Sequence, residues 1–306
     1  MANRRRKGRD VSGWLNLDKA TGETSTAAVA AVKRLFAAAK AGHAGTLDPI
    51  ATGALPIALG EATKTVPFVQ DGRKVYRFTV RWGVETDTDD SDGRPTAASD
   101  ARPDAAATAA ALAAFTGELM QRPPSFSAIK LDGVRAYDLA RAGKKVDIEE
   151  RPVTIHRLAL VATPDRDHAV FEAECGKGAY VRALARDLGR RLGCLGHVVQ
   201  LRRLVVGPFD HATMITLAAL AEVHAAGGPV ALDGLLKPIG FALRDLPEIA
   251  FPPGEAARLM RGQSVLIRGR DAPLLAGPAH ATSAGRSLAI GEISQGAFHP
   301  RRVFRP

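Results

Sequence analysis

The chain contains little cysteine, few aromatic side chains and no long apolar run. Its two cysteines, Cys175 and Cys194, form no paired motif, so no disulfide framework is expected. Aromatic residues make up 5% of the chain, too few for extensive base stacking along a single nucleic-acid strand. No apolar run reaches the length of a membrane span, and the arginine-rich start precedes no apolar segment. We therefore expect no membrane anchor, no signal peptide and a cytoplasmic location.

Acidic residues are also in the minority. Lys and Arg number 42 against 32 Asp and Glu, a net charge of +10 over 306 residues. This balance favours a polyanionic partner, because neutralising phosphates releases counterions and the positive field speeds encounter. The basic segment 1–10 is either a disordered solubilising tail or an arm that contacts phosphate, and the sequence does not separate the two.

Local patterns predict strands interleaved with helices. Thr24 or Ser25 can cap a helix, because apolar residues with helical spacing follow: Val29, Val32, Leu35 and Phe36. Residues 75–82 alternate, which predicts a strand with Tyr76, Phe78, Val80 and Trp82 on one face. Further strands are expected at 12–18, 154–162, 169–175 and 197–206, and further helices at 104–116, 134–142 and 179–192. Without regular βαβ spacing, this order predicts an α+β fold: a mixed, mostly antiparallel sheet with packed helices.

The stretch AGHAGTLDPIATGALPIALGEATK, residues 41–64, is the most informative of the chain. It sets one acidic side chain, Asp48, between Leu47 and Pro49 among small and apolar residues. Asp-Pro is a common turn, which would make Asp48 structural. Alternatively, Asp48 is a partly desolvated nucleophile or base, on a loop whose glycines let it approach a ligand.

Five blocks in order extend this pattern over residues 10–210. The first is the Asp48 stretch, and the others are KVYRFTVRWGVETDTDDSDG (74–93), RPPSFSAIKLDGVRAYDLAR (122–141), CGKGAYVRALARDLGRRLG (175–193) and HVVQLRRLVVGPF (197–209). Together they closely resemble the conserved blocks of the TruB family of tRNA pseudouridine synthases. The resemblance implies the pseudouridine synthase fold and an isomerase that converts uridine 55 in the T arm of tRNA to pseudouridine.

The resemblance also implies roles for individual residues. Asp48 matches the catalytic aspartate of the family, and Arg182 matches the arginine that pairs with it. Tyr76 matches a tyrosine that stacks on the flipped uracil, with its hydroxyl near C5 for the last proton transfer. The other expected substrate-binding residues are Tyr180 and Leu201 in the uracil pocket, His43 in the gap left in the RNA stack, and Lys19 and Lys64 near phosphate. Each has an ordinary structural alternative, as a core aromatic, a core leucine or an exposed basic residue.

No metal or cofactor is expected. ETDTDDSDG is similar to a calcium loop, but with Gly93 at the sixth position the bidentate glutamate is replaced by Ser99. Cys175, Cys194 and His197 lack a C-x-x-C pair and a fourth ligand for zinc, so buried free thiols are expected. We interpret the acidic turn as one that orients groups of the active site.

Three regions are expected: a basic tail at 1–10, a catalytic domain at 11–245 and a small basic domain at 246–306. From Ala256 to Pro306 there are eight arginines, no lysine and two acidic residues, a local charge of 8 − 2 = +6. Short apolar runs between Gly and Pro predict short strands there, after a linker near Arg244–Pro253. The family carries a PUA-like RNA-binding module at this end.

We expect a monomer whose partner is the T arm of tRNA, with no protein partner. Two alternatives stay open. One is a guide-RNA-dependent pseudouridine synthase, because such relatives share the motif around Asp48. The other is a tRNA-folding chaperone in which catalysis is secondary.

Overall fold

The computed structural model describes residues 8–127, 129–131, 133–144, 146–267 and 276–305. Residues 1–7 of the expected basic tail, positions 128 and 132 of the third block, and 268–275 of the expected C-terminal domain lie outside the described residues.

The strands and helices of the described part follow one another along the chain. The strands are β1 (Gly13–Lys19), β2 (Ala41–His43), β3 (Thr52–Leu59), β4 (Lys74–Trp82), β5 (Val84–Thr86), β6 (Pro95–Ala98), β7 (Gly117–Gln121), β8 (Lys130–Leu131), β9 (Val134–Arg135), β10 (Arg151–Ala162), β11 (His168–Cys175), β12 (Gly196–Val206), β13 (Met214–Ile215), β14 (Glu248–Ala250), β15 (Val265–Leu266), β16 (Gly277–Ser283), β17 (Arg286–Ser294) and β18 (Ala297–Val303). The helices are α1 (Ser25–Leu35), α2 (Val66–Asp71), α3 (Ala105–Ala111), α4 (Ala136–Arg141), α5 (Val181–Arg191), α6 (Leu217–Ala231) and α7 (Pro253–Met260).

A nine-stranded central sheet organises most of the described residues, in the order β13-β1-β3-β12-β4-β11-β10-β7 with β2 paired to β3. Within the described part of this sheet, only the β1–β13 and β12–β3 pairs are parallel. Helices α1 and α5 cover one face and bury a large apolar cluster that includes Leu17, Val32, Phe78, Phe171 and Leu188. The expected α+β fold with a mixed, mostly antiparallel sheet is confirmed.

Most expected elements lie within a few residues of their predicted bounds. Thr24 caps α1 by accepting from the backbone N–H of Ala27, as its sequence position predicts. On β4, Phe78, Val80 and Trp82 are buried as expected. The helix expected at 104–116 is shorter, because α3 ends at Ala111 and a 3-10 turn follows over Leu112–Phe115.

The sequence patterns missed β3, which forms the second half of the Asp48 stretch. Its residues TGALPIAL are small and apolar without alternation, because the strand is buried on both faces. Pro56 also argued against a strand interior. Gly53 has a φ of +97°, and a Cβ there would lie 2.2 Å from the carbonyl oxygen of Arg203, so only glycine fits where β3 meets β12.

A second, five-stranded sheet lies at the C-terminal end, in the order β14-β16-β17-β18-β15. It buries its own apolar cluster, which includes Phe251, Leu259 and Phe298. The interval where we expect a linker contains β14, which pairs in parallel with β16. This sheet contacts the turn that follows β3, since Lys64 Nζ donates to the carbonyl oxygen of Val303 at 2.8 Å.

Candidate active site

Asp48 lies on the loop between β2 and β3, and the loop is fixed on both sides of it. Ser25, at the start of α1, accepts from the N–H of Leu47 at 2.8 Å and donates to its carbonyl oxygen at 3.0 Å. After Asp48, the carbonyl oxygen of Pro49 accepts from the N–H of Gly22 at 2.8 Å. A loop held this closely presents its carboxylate in one place.

Arg182, in the first turn of α5, makes the ion pair with Asp48. Its Nε donates to Asp48 Oδ2 at 2.8 Å, and 33% of the Asp48 side chain stays exposed while Arg182 is 4% exposed. The other two guanidinium nitrogens donate to the carbonyl oxygens of Thr88 at 2.8 Å and Phe126 at 3.0 Å. A buried arginine with three such acceptors has one available geometry, so it fixes the position of the carboxylate.

The acidic turn after β5 completes the surroundings of Arg182. Asp90 is 4% exposed, and its Oδ2 lies 3.4 Å from Arg182 Nη1. Burial raises the pKa of Asp90, while the hydrogen bond from Thr88 and the charge of Arg182 lower it in part. Among the described residues, no three His, Cys, Asp or Glu side chains form a group that could hold a metal ion. The turn instead meets the catalytic candidates, in the orienting position expected from the sequence.

Asp48 and Arg182 open into a cavity of about 300 Å³. Tyr76 of β4, Tyr180 at the start of α5 and Leu201 of β12 also line it. The ion pair thus lies beside two aromatic rings and an aliphatic side chain. This lining suits a flat, weakly polar ring that must meet a carboxylate.

Both tyrosines of the cavity stay neutral. Burial raises the pKa of Tyr76, and the charge of Arg203 offsets part of this rise. Burial likewise raises the pKa of Tyr180. Each hydroxyl therefore keeps its proton near neutral pH. Tyr76 can accept a proton only if it passes its own proton on in the same event.

Arg203, which the sequence did not single out, is a further cation of the cavity wall. It is 1% exposed, and it donates to the carbonyl oxygens of Ala54 at 2.8 Å, Gly45 at 3.0 Å and Thr46 at 3.3 Å. These acceptors lie on both sides of Asp48 in the chain. Arg203 therefore ties both ends of the loop that contains Asp48 to β12.

Two family models match adjacent parts of the chain. One, described as TruB family pseudouridylate synthase (N terminal domain), matches residues 33–181, and the other, described as tRNA pseudouridylate synthase B C-terminal domain, matches residues 182–244. The chain belongs to the TruB family. It is therefore a pseudouridine synthase, an isomerase, as the five sequence blocks imply.

Full-length relatives agree with this assignment. A tRNA pseudouridine synthase B of Nitrobacter winogradskyi is 59% identical over 302 residues, which are 98% of this chain and 84% of the relative. A tRNA pseudouridine synthase B of Brucella ovis is 53% identical over 321 aligned positions, covering 99% of each chain. A chain from an H/ACA RNP bound to a substrate RNA containing 2′-deoxyuridine is 22% identical with a TM-score of 0.76, and covers 100% of this chain and 92% of that one. That last likeness supports the fold alone.

Three of the residues expected from the TruB family lie outside the cavity lining. His43 is the last residue of β2, and its buried Nδ1 has no hydrogen-bond partner among the described residues. Burial, followed by the charge of Arg203, lowers the pKa of His43. The ring is therefore neutral near pH 7, which fits a role in filling space rather than in acid–base chemistry.

The ammonium groups of the two expected phosphate-binding lysines both bind oxygens of the protein. Lys19 is 1% exposed and donates to the carbonyl oxygens of Ala20 at 2.8 Å, Glu23 at 2.7 Å and Pro49 at 3.4 Å. Lys64 binds Glu61 and the carbonyl oxygen of Val303. A phosphate contact by Lys19 would have to break these bonds, whereas the Lys64 side chain is 27% exposed. The structure gives Lys19 a different role, holding the loop after Asp48, and gives Lys64 one at the contact with the C-terminal sheet.

Both cysteines are buried and free, as expected. Burial raises the pKa of each thiol to about 11, so neither is a thiolate near neutral pH. No helix in the described ranges is long and apolar enough to cross a membrane.

Proposed function

We propose that this chain converts uridine 55 in the T arm of tRNA to pseudouridine, with Asp48 as the reacting carboxylate. The observation that carries the proposal is the ion pair between Asp48 and the buried Arg182, at the wall of a cavity lined by Tyr76 and Tyr180. The names of relatives that are 59% and 53% identical support tRNA as the substrate.

The chemistry explains why one carboxylate suffices. The C1′–N1 glycosidic bond breaks, the uracil turns, and a C1′–C5 bond forms. N1 gains a proton and C5 loses one, so atoms and electrons balance without an oxidant or a second substrate. Glycoside hydrolysis differs, because there two carboxylates act and water is the acceptor. Here one carboxylate, that of Asp48, held in place by Arg182, acts on the sugar or the base.

Water must be kept from the cleaved intermediate, because the free uracil has to be recaptured. The exposed third of Asp48 means that the cavity is open in the free protein. We infer that the bound RNA closes it, with the target uridine flipped out of the T arm into the cavity. In this arrangement Tyr76 stacks on the base, Tyr180 and Leu201 line its pocket, and His43 fills the gap left in the RNA.

We propose a monomer that works with tRNA in the cytoplasm, without guide RNA. The relatives above 50% identity are named as tRNA enzymes, whereas the neighbour from an H/ACA RNP is 22% identical. The charge of +10 supports recognition of a folded RNA through its phosphates.

Tritium release from tRNA transcripts tests the substrate and the site. Transcripts carry uridine tritiated at C5, which loses its label to water when C5 bonds to C1′. The matched control transcript carries cytidine at position 55. We expect the protein alone to release one tritium per tRNA from the first transcript and none from the second.

Equal release from both transcripts would refute uridine 55 as the target. No release without added guide RNA would favour the guide-dependent alternative. No release together with faster tRNA folding would favour a chaperone in which catalysis is secondary.

A further inference from the structure

Three arginines of α5 form a ladder against the segment that contains the acidic turn. Arg182, Arg186 and Arg190 are spaced four residues apart, so they lie on one face of the helix. They pair with Asp90 at 3.4 Å, Asp89 at 2.9 Å and Glu85 at 2.7 Å, respectively. Their side chains are 4%, 8% and 53% exposed, so the ladder passes from the interior to the surface.

The middle pair of the ladder, Asp89 and Arg186, has an unusual backbone conformation. The backbone of Asp89 has a φ of +60°, in the left-handed region that non-glycine residues rarely occupy. Its side chain is 8% exposed. A strained, buried carboxylate persists only where its surroundings hold it. Arg186 Nη1 donates to Asp89 Oδ2 at 2.9 Å and is the arginine in contact with it.

Arg186 binds the same two segments as Arg182, one helical turn further along. Asp89 stands between Thr88 and Asp90, which both contact Arg182. Arg186 Nη2 donates to the carbonyl oxygen of Arg122 at 2.8 Å, on the segment that leads to the Arg182 acceptor Phe126. The two arginines therefore fix a shared pair of segments.

Neither member of the middle rung lines the cavity that holds Asp48. Arg186 instead lines a separate cavity of about 340 Å³. The pair therefore reaches the substrate only through its neighbours.

We propose that Asp89 and Arg186 are a positioning pair, which holds the acceptors of Arg182 and thereby sets the direction of Arg182 toward Asp48. This inference rests on the proposed roles of Asp48 and Arg182. Removing the pair leaves the tRNA-binding surface and the reacting carboxylate in place. The turn then relaxes from its strained backbone, and the Thr88 and Asp90 oxygens leave their positions around Arg182.

The test compares Arg186→Met, Asp89→Asn and the double variant with Arg190→Met, the matched change on the exposed rung. Full-length proteins are assayed by tritium release from tRNA, with kcat and KM measured separately, and Tm is recorded for each. We expect kcat to fall about 10- to 100-fold in the single variants with KM for tRNA within about twofold of wild type, because misplacement acts on the chemical step. The double variant should lose little more than the worse single one. Arg190→Met should keep wild-type kcat.

Several results would overturn the pair as a positioning device. These are wild-type kcat in both single variants, additive losses in the double variant, an equal loss in Arg190→Met, or a loss confined to KM. Asp89→Asn keeps the test meaningful if Arg186→Met fails to fold, because asparagine has the same shape and tolerates a positive φ. Asp48→Asn is assayed in parallel: turnover by that variant would refute the proposed mechanism, whereas its inactivity beside fully active Arg186→Met would refute the positioning pair alone.

Discussion

Two arginines that hold the loop around Asp48 and an arginine of the C-terminal sheet have opposite surroundings. Around the central sheet, Arg182 and Arg203 are 4% and 1% exposed, and their nitrogens bind carboxylate or backbone oxygens. On the C-terminal sheet Arg301 is 72% exposed, and Glu292, with which it forms an ion pair, is 46% exposed. The comparison teaches that a net positive charge does not by itself locate the RNA-binding cations, because buried arginines such as Arg182 and Arg203 count toward it while their nitrogens bind the loop around Asp48.

Burial determines how much each arginine matters. A buried guanidinium loses its hydration, which only a full set of acceptors offsets, so removing either side leaves unpaired groups. An exposed ion pair contributes about 0–1 kcal/mol and is screened by salt. The expected consequences of substitution therefore fall steeply from the first region to the second.

The largest effect is expected for Arg182→Ala. The change removes the cation that pairs with Asp48. It also leaves the carbonyl oxygens of Thr88 and Phe126 without their arginine donor. We expect kcat to fall by at least about 10²- to 10³-fold, the effect of losing a preorganised donor at a reacting group. Single-turnover tritium release at saturating tRNA measures it. Near-normal turnover would remove the ion pair from the mechanism.

An intermediate effect concerns the pH dependence of stability at Asp89. Burial raises the pKa of Asp89 from 3.8 to about 6. The positive charges of Arg186 and Arg182 lower this pKa, and the negative charges of Glu85 and Asp187 raise it. The folded protein then binds a proton at Asp89 between pH 4 and 6 that the unfolded chain does not, so this group favours folding more as the pH falls. Its contribution is on the order of 2–3 kcal/mol across that range.

The measurement for Asp89 is the difference in Tm between wild type and Asp89→Asn, followed from pH 8 to pH 5. Other carboxylates titrate in both proteins and cancel in the difference. We expect the Tm of wild type to rise relative to that of the variant as the pH falls. A flat or falling difference would contradict the raised pKa.

The smallest effect is expected for Arg301→Ala on the C-terminal sheet. Loss of one phosphate contact there would leave kcat unchanged and reduce the slope of log affinity against log salt by about one. Binding of tRNA at several salt concentrations measures the slope. An unchanged slope would mean that this arginine does not contact RNA.

The resemblance to a family located residues that line one cavity better than it located the residues that hold them in place. Asp48, Tyr76, Tyr180, Arg182 and Leu201 all line one cavity, although 153 positions separate the first from the last. These residues belong to sequence blocks whose order along the chain and amino-acid identities are specific to the family. Their convergence follows from the pairing of β3, β4 and β12 in one sheet.

The residues that hold the loop around Asp48 could not be predicted, because adjacent residues of one type differ in whether they are buried or exposed. In β12, the Arg202 side chain is 41% exposed, while Arg203 is 1% exposed, since successive side chains point to opposite faces. The sequence of two adjacent arginines does not indicate which side chain is buried. The surroundings of Lys19 were not predictable either, because a lysine is ordinarily exposed and only the fold reveals the carbonyl oxygens around this one.

The ladder on α5 did leave a signal in the sequence. Arginines at 182, 186 and 190 have helical spacing, and the acidic residues at 85, 89 and 90 belong to one short segment. Charge complementarity between a helix face and a turn predicts that they meet. Only the structure shows which of the three arginines are buried and which one is exposed.

The most direct test of the central claim compares Asp48→Asn with wild type in single-turnover tritium release, with tRNA affinity measured on the same preparations. Asparagine keeps the size of the side chain and removes its charge. The account predicts no release by the variant, with tRNA affinity within about threefold of wild type, because Asp48 acts on bound uridine rather than on binding. Release at the wild-type rate by Asp48→Asn would contradict the account.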